Sequence, residues 1–382
     1  MKDYVILPQA PLVIRSGRPF GEGSRDGANF PLPSALAGLM RTQVMDVHQW
    51  FLPLRADQQK QLEGISMVGP FLAQRKIPGK RWVPWLPKPA DALLLLDKNT
   101  GKKRYFRLVP KRRMEGTGDD LPLGLWPVTL HEDNKGKPQK GSEYWPIEQF
   151  LQWRRGDEVE CWDLLDTPGT DSRTHVALDR KTLAADGGRL FQTDGVDYGR
   201  VRDKSRRQHF VDHEWGLFCR FAETVQEQMV TLGGERRLSW LGHAGESTLK
   251  PDDRYLSVLG DSCRAFSLTV VTPALFDSGW KPGWLGENLV GEVPDVPGLK
   301  VKLCAVAVER WQSVSGWDLR NNQPRAARKA VAVGAIYWFE IIGEPPVEWA
   351  NLLWFSPISD QEKDRSDGFG VVVPGPWSLL DQ

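Results

Sequence analysis

Arg15-Ser16-Gly17-Arg18-Pro19-Phe20-Gly21, then a polar glycine-containing loop, then Phe30-Pro31-Leu32-Pro33-Ser34-Ala35-Leu36-Ala37-Gly38-Leu39-Met40-Arg41, is the stretch on which the fold turns. Upstream of it, Tyr4 to Ile14 is rich in β-formers and interrupted by Pro8 and Pro11, the pattern of a first strand with a bent edge. Gly17, Pro19 and Gly21 break that strand. Pro31 and Pro33 close the loop and Ser34 reads as an N-cap. Leu36, Leu39, Met40, Val44 and Val47 follow at helical spacing, which predicts one buried face. Strand, turn and capped helix thus bring Arg15, Arg18 and Arg41 close in sequence. Such a unit can grip a phosphate backbone, because the turn allows close approach, arginine supplies charge and the helix start supplies free N–H groups. Alternatively, proline and glycine only shape the loop and the arginines are solvated.

Outward from this stretch, 382 residues suffice to bury a large core and to form two domains. A net charge of +1 leaves no global basic field, so any nucleic acid must be met by local patches. Cys161, Cys219, Cys263 and Cys304 are far apart with no Cys-x-x-Cys pair, which reads as core thiols of a cytoplasmic protein and excludes a zinc site or disulfide frame. The apolar run Ala92 to Leu96 is far too short to span a membrane, and the N-terminus carries no signal-peptide core. Seventeen tryptophans is a high count, suited to core and subunit contacts with some left as platforms for bases.

The remaining pattern is β-rich. Strands are expected over Ile65 to Gln74, Trp82 to Trp85, Ala92 to Leu96 and His209 to Phe221, and a helix over Tyr144 to Arg155. Lys102 to Arg113 holds seven Lys/Arg and no acid, with Tyr105, Phe106 and Leu108 between them: a charged exposed hairpin or an RNA contact. Pro251-Asp252-Asp253 marks a break. It separates an expected first domain, 1–250, with an insertion over roughly 51–170, from a second domain, 251–382. In the second, Tyr255 to Leu259, Ala265 to Thr272, Val301 to Val308, Val331 to Ile342 and Gly368 to Val373 read as β, with a short helix over Val347 to Phe355. Periodicity by itself supports an α+β chain.

Further blocks stand in order behind the opening stretch: Thr174 to Thr182, Ala185 to Phe191, Leu232-Gly233-Gly234-Glu235-Arg236-Arg237, Thr272-Pro273-Ala274 with Gly279-Trp280-Lys281-Pro282, Gly316-Trp317-Asp318, Val333 to Phe339, and Gly368-Phe369-Gly370 with Gly375. With these blocks the chain resembles the RAMP-superfamily third subunit of type III-B CRISPR (Cmr) effector complexes, the subunit at the crRNA 5′ end. The resemblance spans nearly the whole chain, and the order of the blocks makes it specific where a lone Gly-x-Gly is weak. It implies two ferredoxin-like (RRM-like) βαββαβ domains with large insertions in the first. It also implies a non-catalytic, cofactor-free RNA-binding subunit that holds the repeat-derived 5′ tag of the crRNA and caps the complex. Its neighbours would be the large polymerase-like subunit, the backbone RAMP subunits and, nearby, target RNA. The matching positions nominate Arg15, Gly17, Arg18, Phe20, Ser34, Arg41, Arg180, Lys181, Arg236, Arg237, Trp280 and Lys281 for RNA. Gly368, Gly370 and Gly375 form the family's glycine-rich loop, for RNA approach or for packing on the facing domain.

Two other readings compete. A metal-independent RAMP endoribonuclease processing precursor crRNA needs a general base, for which His48 at the end of the first helix is the best-placed residue; His175, His209, His213 and His243 are scattered. A protein-binding bridge would leave RNA to its neighbours. Metal-dependent nuclease or cyclase chemistry is less favoured still, since Asp119-Asp120 and Asp252-Asp253 lie in polar loops with no His-Asp doublet. No phosphate-binding Gly-x-x-x-x-Gly-Lys-Ser/Thr run occurs.

Overall fold

The structure of the protein is a computed structural model and describes residues 1–14, 25, 26, 28–77, 79, 81–97, 100–112, 116, 118–131, 136–159, 168–179, 181–199, 213–245, 249, 250, 253–260, 263–318 and 323–379. The chain is mixed α/β and strand-rich, with few helices. Two compact units interleave along it: Met1–Trp82, Asp166–Ser247 and Ser313–Lys329 form the first, and Val83–Leu165, Thr248–Gln312 and Ala330–Gln382 the second. Residues 83–165, expected within an insertion in the first domain, cluster with the C-terminal strands instead.

In the first unit Lys2–Pro8 lies between His213–Phe221 and Arg237–His243, antiparallel to both. His213–Phe221 pairs on its other side with Met67–Lys76, also antiparallel. Taken in chain order, the four strands therefore lie fourth, first, third, second. Gln228–Leu232 adds an edge strand against Arg237–His243. The connection from first to second strand carries the helix Pro33–His48, which packs against Met67–Lys76 and Gln228–Leu232. Its buried face holds Leu36, Leu39, Met40 and Val44, as the spacing predicts, but Val47 in the last turn is exposed. Ser34 is not the N-cap: Leu32 occupies that position without a side-chain bond, and Pro33 opens the helix. Proline's fixed φ and missing N–H suit the first helical position, which moves the start one residue ahead of the serine. A long hairpin, Gly169–Leu178 with Ala185–Asp197, completes this unit.

In the second unit Ala265–Val270 lies between Ile336–Ile341 and Val371–Pro376, antiparallel to both. Lys300–Ala307 pairs antiparallel with Ile336–Ile341, so the order is again fourth, first, third, second. Here the helices, Trp349–Leu353 and Glu362–Asp367, sit in the connection from third to fourth strand. On one sheet face Phe266 packs on Trp349, with ring centroids 4.7 Å apart, and Trp284 stacks on Phe339 at 5.9 Å. On the other face Ala305, Ile336 and Trp338 meet Trp126, Val128 and Trp377. The helix Ile147–Arg155 packs on Val371–Pro376. Burial of that second face is the physical reason residues 83–165 belong with this unit. The expected helix over Tyr144 to Arg155 begins only at Ile147, because Tyr144–Pro146 pairs as a strand with Val83–Pro87.

Cys219, Cys263 and Cys304 are free thiols, and burial pushes Cys304 up to about 11; Cys161 lies outside the described residues. Among the described residues no helix is long and apolar enough to cross a membrane.

Candidate nucleic-acid interface

Residues 11–14, which lead directly into Arg15, are held from three directions within the first unit. Leu12 exchanges backbone hydrogen bonds with Val196 at the root of the long hairpin (N–H to O 2.8 and 2.9 Å). Gly234 donates its N–H to the Val13 carbonyl at 2.7 Å. Asn29, just ahead of the first helix, donates its side-chain amide to the Ile14 carbonyl at 2.9 Å. Two glycines permit this crowding. A Cβ on Gly233, whose φ is +74°, would lie 2.7 Å from the Val13 carbonyl oxygen, and one on Gly195 would lie 3.1 Å from the Pro11 side chain. The blocks around the opening stretch, the hairpin and Leu232–Arg237 thus share one root, although they are far apart in sequence. Arg15, Gly17, Arg18 and Phe20 follow immediately and lie outside the described residues, as does Arg180.

The turn after Gly234 separates its two arginines. Glu235 and Arg236 both adopt left-handed backbone, φ 59° and 50°. That conformation disfavours side chains with a Cβ and sets the direction of the next residue. Arg237 is paired with the Glu235 carboxylate. Arg236 is exposed and has no partner among the described residues.

At the hairpin tip the Asp179 carboxylate accepts N–H bonds from Lys181 and Thr182, both at 2.8 Å, and the Thr182 hydroxyl at 3.1 Å. These bonds, that from Thr182 foremost, hold its pKa below the usual carboxylate value. Lys181 beside it is exposed. So are Val176, Leu178, Leu183 and Leu190, with Leu183 74% exposed in left-handed backbone. Nearer the root His175 stacks on Phe191 with ring centroids 5.0 Å apart, and its Nε2 lies 2.7 Å from the Thr193 hydroxyl. An arm bearing apolar side chains beside cations can contact bases and phosphates together.

Other nominated residues turn inward. The Arg41 guanidinium donates to the Glu63 and Ile65 carbonyls at 3.3 and 3.1 Å, tying the first helix to the approach of the next strand. Trp280 is half-buried, and its carbonyl accepts the Tyr337 hydroxyl at 2.6 Å. The Lys281 ammonium donates to the Leu285 and Gly286 carbonyls at 3.3 and 3.5 Å. Asp360 holds the same turn by accepting from the Asp277 and Gly283 N–H groups at 2.8 and 2.7 Å, and burial raises its pKa. The glycine-rich loop is also packed inside its own unit. Gly368 ends a helix in left-handed backbone. A Cβ on Gly370 would lie 2.9 Å from the Ser359 amide nitrogen, and one on Gly375 would lie 2.5 Å from the Arg154 guanidinium.

Sequence reasoning missed Arg154. It is buried, pairs with Asp91 at 3.3 Å and donates to the Ser267 hydroxyl. The Trp153 indole N–H donates to the same carboxylate at 2.7 Å. Nothing at the end of an exposed-looking Trp-Arg-Arg run marks which cation goes inside. In the basic segment Lys102 to Arg113, Arg104 lies over Phe106 at 4.4 Å, Arg107 over Trp153 at 3.8 Å and Arg112 over Trp126 at 5.2 Å, while Lys102, Lys103, Lys111 and Arg112 are exposed and Arg113 lies outside the described residues. Alternation of Arg104 with Phe106 on one strand face was the available signal for the first of these. His48, the best-placed general-base candidate, stacks on Trp50 at 4.7 Å. Among the described residues no group of three or more His, Cys, Asp or Glu side chains is arranged to hold a metal ion.

The family model described as CRISPR-associated protein (Cas_Cmr3) matches residues 4–377. The chain belongs to this family, as the ordered sequence blocks indicate. No curated protein matches it. Among solved structures it is similar to a chain of a type III-B Cmr-β complex bound to cognate target RNA and AMPPnP, at 13% identity and TM-score 0.46, covering 88% of this chain and 86% of that one. A second structure of that complex with cognate target RNA gives the same values, 13%, 0.46, 88% and 86%. A chain of the Csm3–Csm4 subcomplex of a type III-A interference complex is similar at 9% identity and TM-score 0.36, covering 99% of this chain and 100% of that one.

Proposed function

We propose that this chain is a non-catalytic crRNA-binding subunit of a cytoplasmic type III-B effector. It holds the repeat-derived 5′ tag and caps one end of the complex, between the large polymerase-like subunit and the first backbone RAMP subunit. Family membership supports the setting. The observation that carries the RNA role is the convergence of three motif blocks on residues 11–14, with Arg236 left exposed beside them. Phosphate contacts from such a root set the register of the strand, and the hairpin arm is suited to bases splayed from it. The strand order shared by both units supports two ferredoxin-like domains, each keeping a helical crossover in one of its two connections. The non-catalytic reading draws support from the separate settings of the histidines: His48 on Trp50, His175 on Phe191 and His243 on Tyr4.

The test is binding of the full chain to crRNA with its 5′ tag and to the same RNA lacking it, alongside incubation with precursor crRNA. Tighter binding of the tagged RNA without fixed-site cleavage is expected. Equal affinity for both would remove the tag-holding role. Cleavage at one site, lost in His48→Ala, would make the chain a processing endoribonuclease.

A further inference from the structure

The edge strand of the first unit, Gln228–Leu232, has an open side. The Gln9 N–H donates to the Leu238 carbonyl and the Ala244 N–H to the Asp3 carbonyl, both at 3.0 Å, so Leu238 and Ala244 bond toward the first strand. Alternate residues of an antiparallel strand bond to opposite sides. Arg237, Ser239 and Leu241 therefore bond toward the edge, where Leu232, Val230 and Gln228 stand opposite them. Met229 and Thr231 then turn their N–H and C=O groups outward, and these four groups have no partner among the described residues. Equivalent groups repeat about 7 Å apart along such a strand. Gln228–Leu232 carries no charge, proline or bulge, the devices that usually close a sheet edge. In the second unit, by contrast, one edge strand, Ser356–Pro357, ends in proline, and the other, Val290–Glu292, is bridged by Leu285 at Gly291.

The side chains beside this edge are apolar. Met229 lies opposite Trp240 and Trp240 opposite Leu7, with Leu238 two residues along. Met229, Leu238 and Trp240 are 46%, 54% and 37% exposed, whereas Val230, Leu232 and Leu241 on the other sheet face are buried. We infer that Gln228–Leu232 is a docking edge that takes an extended strand of another protein subunit, whose apolar side chains rest on Met229 and Trp240. The main-chain groups decide the class of occupant. A peptide strand accepts from the two N–H groups and donates to the two carbonyls in one register, whereas phosphates only accept. The inference rests on the proposed place of this chain at one end of an effector, where its neighbour is a different subunit and not a second copy.

The test compares amide hydrogen exchange in the full chain alone, with tagged crRNA, and in the assembled type III-B effector. The Met229 and Thr231 amides are expected to exchange freely in the first two and about tenfold or more slower in the effector. Thr231→Pro deletes one outward N–H and leaves the ladder intact, a placement proline tolerates on an edge strand. Met229→Lys puts a charge where the added side chains rest and asks nothing of the backbone. Both should keep the wild-type urea midpoint and tag preference. Both should lose to wild type by about 10- to 100-fold in competition for incorporation, the range for one buried methionine-sized side chain. Equal exchange in the free and assembled chain, or wild-type incorporation of Met229→Lys, overturns the inference. So does protection by tagged crRNA alone, which makes the occupant RNA, or protection in a chain that sediments as a dimer, which makes it a second copy. A wild type without tag preference but with both amides protected in the effector keeps the docking edge and removes only the tag-holding role.

Discussion

The two units share one strand order and differ in where they keep a helix. In the first, the helix lies between first and second strands, and the connection from third to fourth is an edge strand and the Gly233–Arg237 turn. In the second, the helices lie between third and fourth strands, and the connection from first to second is the loop bearing Trp280 and Lys281. Each helix-free connection carries cations at family positions, yet their fates differ. Arg236 is left to solvent, whereas Lys281 is satisfied by its own turn. A motif match thus locates a turn without saying whether its charge serves a ligand or the fold.

The largest expected effect is in the second unit. Arg154→Ala removes a buried guanidinium from Asp91 and Ser267, and should cost about 3–5 kcal/mol in urea unfolding. A loss below about 1 kcal/mol, the scale of an exposed pair, would show the cluster is not what holds that sheet face closed. The matched glycines come next. Gly233→Ala and Gly370→Ala each force a Cβ into left-handed backbone against a neighbour, at a cost of about 1–3 kcal/mol. Only Gly233→Ala should also weaken tagged crRNA binding. If Gly370→Ala weakens it equally, the glycine-rich loop touches RNA and the contrast between the units fails.

A smaller pair sharpens the same point. Arg236→Ala should leave stability within about 0.5 kcal/mol of wild type and lower the crRNA salt slope by about 0.7. Lys281→Ala should do the reverse, losing about 0.5–1.5 kcal/mol of stability for its hydrogen bonds with the slope unchanged. The smallest effect is in pH dependence, where the two units have opposite signs. Asp179 has a lowered pKa, so its tip contribution is present above the ordinary aspartate value and lost as pH falls through the depressed one. Asp360 has a raised pKa, so its contribution is fullest below the ordinary value and lost as pH rises through the raised one. Carbon-13 titration of the two carboxyl groups should place them on opposite sides of the usual value; the same side would remove this distinction.

Much of the local structure was legible in the residues. The strand at Ala92–Leu96 and the buried helix face at Leu36, Leu39, Met40 and Val44 follow from short-range periodicity. Helix starts were less so, because Pro33 and Pro146 override the simpler signals around them. The family was legible in the order of its blocks. Backbone propensity and side-chain period act over a few residues, and they set the kind of element at most places, although Tyr255 to Leu259, read as β, lies in and just after the helix Asp253–Ser257. Which cation meets solvent, which is tied to a carbonyl and which is buried was settled by long-range packing. Packing also brings residues of 83–165 onto the second sheet. Those outcomes depend on partners more than a hundred residues away, such as Ser267 for Arg154 and Val13 for Gly234, and no local pattern carries them.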